Sequence, residues 1–260
     1  MKTITWNVNS IRTRLERTLA LLQRHSPDIL CIQETKAPDD RFPEESFQRL
    51  GYHTAAHGQK TYNGVAILSK EPPADVQRGF PGDPIPDHAR VISADFGSFQ
   101  VINAYVVNGK AVGDPKFALK LEWLRALQSW IKTAFDPSRP LLLLGDFNIA
   151  PEDQDVHDPE KWRGKVLCSA PERERLAAFF RWGFVDLYRR FPSKGDPYTW
   201  WDYRMGAFHR GWGLRIDLVL GTPPLAETCR SVEILREERK ASSGEGKPSD
   251  HAPVLATFGI

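Results

Sequence analysis

The chain has 260 residues, of which 41% are hydrophobic, and its 14 Phe and 8 Trp supply enough apolar surface for a large core. This composition excludes intrinsic disorder of the whole chain. The 35 Lys and Arg nearly balance the 33 Asp and Glu, so the net charge of +2 does not by itself indicate a nucleic-acid-binding protein.

The sequence also bears on cellular location. Its longest purely aliphatic run is Leu141–Leu144, whereas a membrane span needs about 18 apolar residues, so we expect no membrane association. Asn7, Asn9 and Arg12 interrupt the N-terminal segment too early for a signal peptide of the usual kind. The widely spaced cysteines match neither a disulfide framework nor a zinc site. We therefore expect a protein of the reducing cytoplasm.

Strands alternate with helices in the first part of the chain. Residues 3–8 predict a short strand, and the apolar run at 28–34 predicts a strand buried on both faces. Residues 63–69 predict another strand. Between the first two strands, apolar residues recur at helical spacing ahead of Pro27: Ile11, Leu15, Leu19 and Leu22.

A hairpin and a long helix are predicted next. Residues 90–106 predict two strands joined by the turn Gly97-Ser98, a pair that suits a two-residue hairpin. Asp114-Pro115 predicts the N-cap and first position of an amphipathic helix. The run LLLLGDFN at 141–148 then repeats the pattern of a buried strand.

The last part of the chain predicts one helix and several strands. Ser169 and Glu172 form a capping box at the start of the helix, and Gly183 is placed to end it. Four further segments predict strands: 198–201, 215–220, 232–235 and 253–258.

The charged, proline-containing loop at 151–165 raises the question of domain number. As a linker, it would divide the chain into units 1–150 and 166–260. Polar candidates for one site lie in both halves, and this favours a single domain over residues 1–260. The hairpin between helical segments argues against a simple parallel wound sheet. We therefore predict an α/β (α+β) fold in which two mixed sheets pack face to face with helices outside.

Polar side chains recur where the predicted strands end or are interrupted. Glu34 closes the run DILCIQ, and Asp217 interrupts the strand RIDLVL. Asp146 and Asn148 close the run LLLLG. An ionised carboxylate at the end of a buried strand is costly unless a cation or hydrogen-bond donors compensate it. Several such groups together form an oxygen-rich site that suits Mg²⁺ or Mn²⁺ rather than zinc.

Each of these residues has an ordinary structural explanation when taken alone. Glu34 is equally compatible with an exposed loop residue, and Asp146 with a turn former or helix cap. Asn7 and Asn9 alternate along a predicted strand and face the same side, but both are also turn formers. A lone histidine such as His251 is more often structural than catalytic. No single residue therefore identifies the function.

A set of ordered motifs is more specific. In chain order they are WNVNSIR (6–12), QETK (33–36), NAYVVNG (103–109), GDFNIAP (145–151), YTWWDYR (198–204), GLRID (213–217) and PSDHAPV (248–254). Together they resemble the exonuclease III family, the apurinic/apyrimidinic endonuclease branch of the endonuclease–exonuclease–phosphatase superfamily. The resemblance spans residues 5–257 and implies a four-layer αββα sandwich.

The resemblance implies a divalent metal site and a general base. Glu34 would be the principal ligand of Mg²⁺, with Mn²⁺ as an alternative. Asn7 would assist it, as would Asp250, directly or through water. Asp146 would orient and deprotonate the attacking water, and Asn148 would hold that water or the scissile phosphate.

The resemblance also implies groups that bind the phosphate. His251 is similar to the family's phosphate-contacting histidine, and Asp217 is similar to the carboxylate that orients it and favours the imidazolium. Tyr105, with Asn108 nearby, is similar to the family's tyrosine that contacts the phosphate. Arg90 is a further candidate phosphate contact.

The family's pocket for the abasic sugar is apolar and narrow, and its positions match Trp200, Leu214 and Ile216. Such a pocket would admit an extruded deoxyribose that has lost its base. The alternative is that these side chains are ordinary core. The segments 158–169 and 205–212 would border the pocket.

The implied activity is metal-dependent hydrolysis of the DNA backbone 5′ to abasic sites, trimming of 3′ blocking groups, or both. The trimming would be 3′-phosphatase, 3′-phosphodiesterase or 3′→5′ exonuclease action. The expected partner is double-stranded DNA with abasic or 3′-blocked sites, and we expect a monomer. Three alternatives stay open here: a phosphoesterase of the superfamily with a non-DNA substrate, a catalytically inactive DNA-binding module, and a two-domain metal-binding protein. YTWWDYR and GLRID argue against the first, and the complete set of polar residues argues against the second.

Overall fold

Two mixed β-sheets form the centre of the structure, a computed structural model that describes residues 1–191, 195–241 and 245–260. Over these residues the strands are β1 (Lys2–Asn7), β2 (Ile29–Gln33), β3 (His53–His57), β4 (Val65–Ser69), β5 (Asp75–Arg78), β6 (Val91–Asp95), β7 (Gln100–Tyr105), β8 (Leu141–Asp146), β9 (Val185–Asp186), β10 (Asp217–Gly221), β11 (Cys229–Ile234) and β12 (Val254–Phe258). The helices are α1 (Leu15–His25), α2 (Glu44–Gln48), α3 (Pro115–Ala134), α4 (Pro159–Trp162), α5 (Ala170–Trp182) and α6 (Pro223–Thr228).

The two sheets have matching architectures. The first has the strand order β11-β12-β1-β2-β4-β3, and the second has the order β5-β6-β7-β8-β10-β9. In the first sheet β1 and β2 run parallel, in the second β7 and β8 run parallel, and the other neighbouring strands are antiparallel. The mixed sheets predicted from the sequence are therefore confirmed.

Layers on both faces of each sheet explain the continuous apolar runs. In β2, Ile29 and Cys31 point into the core between the sheets, whereas Leu30 and Ile32 point into the core beneath α1 and α2. Side chains of β8 alternate in the same way between the central core and the core formed with α3 and α5. Because alternate side chains of a strand face opposite sides, a strand covered on both sides must be apolar throughout. The four layers are helices, sheet, sheet and helices, as the resemblance implied.

A buried polar bridge ties the two sheets together beneath their shared edge. The Nε2 of Gln33 donates to the Oδ1 of Asn103 at 2.7 Å. The Nδ2 of Asn103 donates in turn to the carbonyl oxygens of Ile32 and Ala66, both at 2.9 Å. Buried hydrogen bonds of this kind between the sheets favour one arrangement of the two sheets over others.

Local signals in the sequence located the long helices. The side chain of Asp114 accepts a hydrogen bond from the N–H of Lys116 at the start of α3, and Ser169 and Glu172 form the predicted capping box of α5. Both helix starts are therefore confirmed. Over the described residues, no helix is long and apolar enough to cross a membrane, and the cysteines are free.

Two local predictions were wrong. Residues 198–201 do not form a strand; Trp200 makes only isolated bridges to Leu214 and His251. Asp217 does not interrupt a strand but begins β10, because the preceding residues turn away from the sheet toward Trp200 and Asp155. The loop at 151–165 contains α4 and a 3₁₀ turn at Asp153–Asp155.

Gly145 is required where β7 and β8 meet, next to Asp146. Its φ is +137°, and a Cβ at this position would lie 2.0 Å from the carbonyl oxygen of Ala104. We expect Gly145→Ala to destabilise the fold by about 3 kcal/mol or more, because backbone strain adds to a clash with the neighbouring strand. Urea denaturation measures the change.

Gly82→Ala is the matched control for Gly145→Ala. Gly82 also has a positive φ, of +81°, but open space surrounds its Cβ position, so its replacement should cost only about 1 kcal/mol. Equal losses of stability in the two variants would show that the contact with Ala104 does not matter.

Candidate active site

The strand order gathers the polar strand ends at one edge of the molecule. Because β1 and β2 run parallel, Asn7 lies at the same edge as Glu34, which follows β2 directly. In the second sheet, Tyr105 pairs with Asp146, and Asp146 pairs with Asp217 on the antiparallel strand β10. The sequence therefore folds so that residues distant in the chain become neighbours.

Hydrogen bonds join the two sheets at this edge. The Nδ2 of Asn7 donates to the Oδ2 of Asp146 at 2.9 Å. The loop that precedes β12 is held against β1, since the Oγ of Ser249 donates to the carbonyl oxygen of Asn7 at 2.7 Å. The indole Nε1 of Trp6 also donates to the carbonyl oxygen of His251 at 3.1 Å. These contacts place His251 beside the ends of β1 and β8.

Asp146 is fixed by a set of amide donors. The backbone N–H of Asn148 donates to its Oδ1 at 2.9 Å, and the Nδ2 of Asn148 lies 3.2 Å from its Oδ2. Asn148 has a left-handed φ of 50°, which turns the chain back on itself directly after β8. The Nδ2 of Asn108 donates to the Oδ1 of Asn148 at 2.9 Å. Asp146, Asn148 and Asn108 thus form one hydrogen-bonded row.

His251 forms a buried pair with Asp217. Its Nδ1 lies 2.8 Å from the Oδ2 of Asp217, and its Nε2 lies 3.9 Å from the Oδ2 of Asp146. Burial alone would lower the pKa of His251, but the carboxylates of Asp217 and Asp146 outweigh it and raise the pKa to about 10. Burial raises the pKa of Asp146 to about 7, against the opposing charge of His251. The pair therefore presents an imidazolium beside a buried carboxyl group.

A second group of oxygen atoms lies at the end of the first sheet. The Nζ of Lys36 lies 3.0 Å from the Oε1 of Glu34 and donates to the Oδ1 of Asn9 at 2.6 Å. The Nδ2 of Asn9 donates to the Oδ1 of Asp250 at 2.9 Å, and the Nε1 of Trp200 donates to its Oδ2 at 3.1 Å. Burial would raise the pKa of Asp250, but the charge of His251 and these donors lower it.

This second group fits a hard divalent cation. Its donors are the carboxylates of Glu34 and Asp250 and the carboxamide oxygens of Asn7 and Asn9, which are ligands of the type that Mg²⁺ and Mn²⁺ prefer. The ammonium of Lys36 already contacts two of these oxygens, so the structure itself shows that they favour a cation. The Oδ1 of Asn7 accepts one hydrogen bond, from the N–H of Asn9, and keeps a second lone pair.

Asp146, Asp217 and His251 form another cluster with possible ligand atoms, all within 4.8 Å of one another. In this cluster the imidazole is already hydrogen-bonded to one carboxylate and close to the other. In this cluster the imidazole therefore already compensates the charge of the carboxylate oxygens that lie next to it.

Tyr105 lies between the two groups of acidic residues. Burial, reinforced by the charges of Glu34 and Asp146, raises the pKa of the phenol well above its usual value, so the hydroxyl stays a neutral donor. The guanidinium of Arg90 lies 4.8 Å from the centre of the Tyr105 ring and also donates to the Tyr105 carbonyl oxygen at 3.1 Å. Arg90 therefore supports Tyr105 from below the surface.

The residues predicted for the sugar pocket lie next to one another. Trp200 is half-buried, and its backbone N–H donates to the carbonyl oxygen of Leu214 at 2.9 Å. Leu214 and Ile216 are 0% and 1% exposed and share an apolar cluster with Leu167 and Val156. Trp200 is thus the member of the three with accessible surface, whereas Leu214 and Ile216 lie beneath it.

Sequence reasoning missed the place of Asn9 and Lys36 at the acidic end of the site. Asn9 was expected on the same strand face as Asn7, but β1 ends at Asn7, and Asn9 has a left-handed φ of 48°. Lys36 belongs to the motif QETK, and a positive charge two residues after Glu34 was a signal that could have located it.

Comparisons with known proteins identify the family of the chain. Residues 4–251 match the model of the Endonuclease/Exonuclease/phosphatase family. The exodeoxyribonuclease III of Haemophilus influenzae is 37% identical over 270 residues, covering 99% of this chain and 100% of the relative. The structure of the 3′ phosphatase NExo from Neisseria bound to a product DNA hairpin is 44% identical, with a TM-score of 0.93 and 99% of each chain covered.

An AP endonuclease from Archaeoglobus fulgidus has the same fold over 100% of both chains, with a TM-score of 0.94 and 41% identity. The agreement extends over the whole chain and includes all the strands that carry the site. The chain therefore belongs to the endonuclease/exonuclease/phosphatase family, in its exonuclease III branch, and is a DNA-repair phosphodiesterase.

Proposed function

We propose that the protein cleaves the DNA backbone 5′ to abasic sites and removes 3′ blocking groups, with Mg²⁺, or alternatively Mn²⁺, as cofactor. The observation that carries this proposal is the convergence of a carboxyl group, an amide and an imidazolium at the edge that also carries Glu34: Asp146, Asn148 and His251. Phosphodiester hydrolysis needs a positioned water, a base and compensation of the charge that grows on the phosphoryl oxygens.

Asp146 is the proposed base. Hydrogen bonds from Asn7 and Asn148 hold its carboxylate in one orientation, so it can orient the attacking water and accept its proton. The carboxamide of Asn148, next in the same row, holds that water or the scissile phosphate. A fixed orientation matters because a general base acts only within hydrogen-bond reach of the proton that it removes.

His251 and Tyr105 are the proposed donors to the phosphate. Because Asp217 occupies the Nδ1 of His251, the Nε2–H is left to face the substrate. The neutral phenol of Tyr105 adds a second donor, and Asn108 lies at the exposed end of the row. Donors that are already in place stabilise developing charge without reorganisation.

Glu34, Asp250 and Asn7 are the proposed metal ligands. The cation supplies Lewis-acid stabilisation of the phosphoryl and leaving oxygens when it is bound. The hydrogen bond between Asn7 and Asp146 joins the two sheets. It therefore keeps the proposed base and the imidazolium next to it beside these ligands. The acid and base chemistry thus stays with the protein's own side chains.

We also propose that the chain acts as a monomer with a single domain over residues 1–260, on double-stranded DNA that is abasic or 3′-blocked. The central core draws side chains from both halves of the chain, among them Ile29, Leu142 and Val219. The buried pair of Arg215 and Asp155, 2.6 Å apart, joins the 151–165 loop to the segment before β10. Trp200 is the proposed contact to the sugar, and Arg90 is proposed to serve the phosphate side of the site through Tyr105, which it holds from below.

A DNA duplex with one abasic analogue tests the proposed function. With Mg²⁺, we expect incision 5′ to the analogue that leaves a 3′-hydroxyl, as shown by end-group analysis. Excess EDTA should abolish incision, and added Mg²⁺ should restore it, because the acidic ligands need the cation to compensate charge on the phosphate. Substrates with a 3′-phosphate or a recessed 3′ end rank the other activities in parallel.

The same experiment separates the alternatives. Undiminished cleavage in EDTA would contradict the proposed cofactor. Binding without cleavage of any DNA substrate would indicate an inactive DNA-binding module. Faster turnover of a small phosphate monoester than of all the DNA substrates would indicate a phosphoesterase with another substrate.

A further inference from the structure

A buried ion pair lies beneath the loops that carry Asn108 and Asn148. Lys120 projects from α3 and Glu172 from α5, and their side chains are both 0% exposed and in direct contact. The Nζ of Lys120 also donates to the carbonyl oxygen of Asn148 at 2.7 Å and to that of Asn108 at 3.2 Å. An ammonium has three N–H donors, so two of them serve the loops of the active site.

Glu172 holds a third loop in the same way. Its Oε1 accepts a hydrogen bond from the N–H of Leu167 at 3.0 Å, and its Oε2 accepts bonds from the N–H and Oγ of Ser169 at 3.1 and 2.5 Å. Leu167 packs in the apolar cluster that contains Leu214 and Ile216. One ion pair therefore connects three loops around the site.

The two carbonyl groups that Lys120 fixes belong to residues whose side chains bond to each other. Asn108 donates to the carboxamide of Asn148, and Asn148 donates to Asp146. Asn148 adopts a left-handed backbone, so the direction of its side chain depends on how that backbone is held. Gly109 lies tightly on the stem of Lys120, since a Cβ there would be 3.1 Å from the Lys120 Cδ. The loop that carries Asn108 therefore lies against the stem of Lys120 as well as its ammonium.

An ordinary role in stability does not account for this arrangement. A buried ion pair is seldom more stable than a pair of apolar side chains of similar volume. An apolar side chain at position 120 would, however, leave the carbonyl oxygens of Asn108 and Asn148 without this donor. The use of a charged residue therefore follows from the need to bind two carbonyl groups of the active-site loops.

We propose that Lys120, compensated by Glu172, is a positioning residue that sets the orientation of the Asn148 carboxamide toward Asp146 and the substrate. This inference rests on the proposed function, in which Asn148 holds the attacking water or the phosphate. Lys120 acts through Asn148 and Asn108 and does not itself contact the substrate.

A double-mutant cycle in kcat tests the proposal, with a DNA hairpin that carries a 3′-phosphate as substrate and saturating Mg²⁺. The double variant Lys120→Met/Glu172→Gln removes both charges without leaving either one unpaired. We expect it to lower kcat at least about tenfold while KM changes less than about threefold. In an Asn148→Ala background, the same two substitutions should change kcat less than about threefold, because residues that act as a unit are not additive.

Leu124→Ala is the matched control, since Leu124 is fully buried on the same helix, one turn beyond Lys120, and packs in the core under the second sheet. It should lower the thermal midpoint but leave kcat unchanged well below that midpoint. If the double variant does not fold, Glu172→Gln alone, which keeps an acceptor for Lys120, enters the same cycle.

Three results would overturn the proposal. The first is an unchanged kcat in the folded double variant, and the second is a pair of effects that simply multiply in the Asn148→Ala background. The third is wild-type kcat in Asn148→Ala itself, which would remove the proposed role of Asn148 as well. If Asn148→Ala is impaired and the double variant is not, the proposed function stands and only the role of Lys120 falls.

Discussion

Asp146→Asn should reduce Mg²⁺-dependent cleavage of DNA at least about a hundredfold, the lower end of the contribution of a positioned general base. The amide has nearly the same shape as the carboxylate, but it cannot accept the proton of the attacking water. Asn7 and Asn148 both direct N–H groups at the two oxygens of Asp146. The introduced amide has only one oxygen to accept them, so its NH₂ group would oppose the remaining N–H donors. Single-turnover cleavage of the abasic and 3′-phosphate duplexes measures the loss.

Asp146→Asn should still fold and bind product DNA, since the strand pairing of residue 146 stays in place and only its side-chain hydrogen bonds change. Asp28→Asn is the matched control, because Asp28 precedes the opposite end of β2, and its side chain is 43% exposed. We expect that variant to cleave at the wild-type rate. Cleavage within about threefold of wild type by folded Asp146→Asn would exclude Asp146 as the base.

His251→Ala should also lower cleavage at least about a hundredfold, because it removes the cationic donor that faces the phosphate. The loss should lie in kcat rather than in KM, since the donor is worth most when charge develops on the phosphoryl oxygens. Quench-flow measurements at saturating DNA separate the two constants.

The stability of His251→Ala must be measured beside its activity. Removing one partner of a buried ion pair typically costs about 3–5 kcal/mol, and here the carboxylate of Asp217 is left buried without the imidazolium. The double variant His251→Ala/Asp217→Asn should recover stability but not activity. Recovery of cleavage by the double variant would show that His251 serves the fold rather than the reaction.

The position of the site was predictable because it depends on strand ends. A strand covered on both faces, such as β2 or β8, must be apolar throughout, so the charged residue that ends it is conspicuous in the sequence: Glu34 after β2 and Asp146 at the end of β8. Parallel strands bring such ends to the same edge, and the structure places both residues there. The resemblance of the motifs to the exonuclease III family then assigned expected roles to these residues, and the side-chain distances are compatible with those roles.

Other features follow from backbone conformation and tertiary contact, which local patterns do not encode. Asn9 and Lys36 have left-handed backbones with φ of 48° and 52°, so strand alternation could not indicate where their side chains point. The aromatic segment 198–201 has the composition of a strand, but it crosses between Leu214 and His251 through isolated bridges. The edge strands β3 and β5 were not predicted, because their half-exposed, largely polar side chains lack the apolar signal.

The buried contacts of Lys120 were likewise not predictable from local sequence patterns. In the sequence it is one of several lysines on an amphipathic helix, and a solvated face is the usual place for such a residue. Only the tertiary structure shows that α5 supplies Glu172 and that two loop carbonyl groups cover the ammonium. The partners lie 12 to 52 residues away in the chain.

Anomalous scattering from Mn²⁺ in crystals of the protein with product DNA measures the position of the divalent ion directly. We expect the anomalous peak between the carboxylates of Glu34 and Asp250, beside the carboxamide of Asn7. A peak only among Asp146, Asp217 and His251 would contradict the account, because those residues would then be metal ligands rather than the base and the phosphate donor.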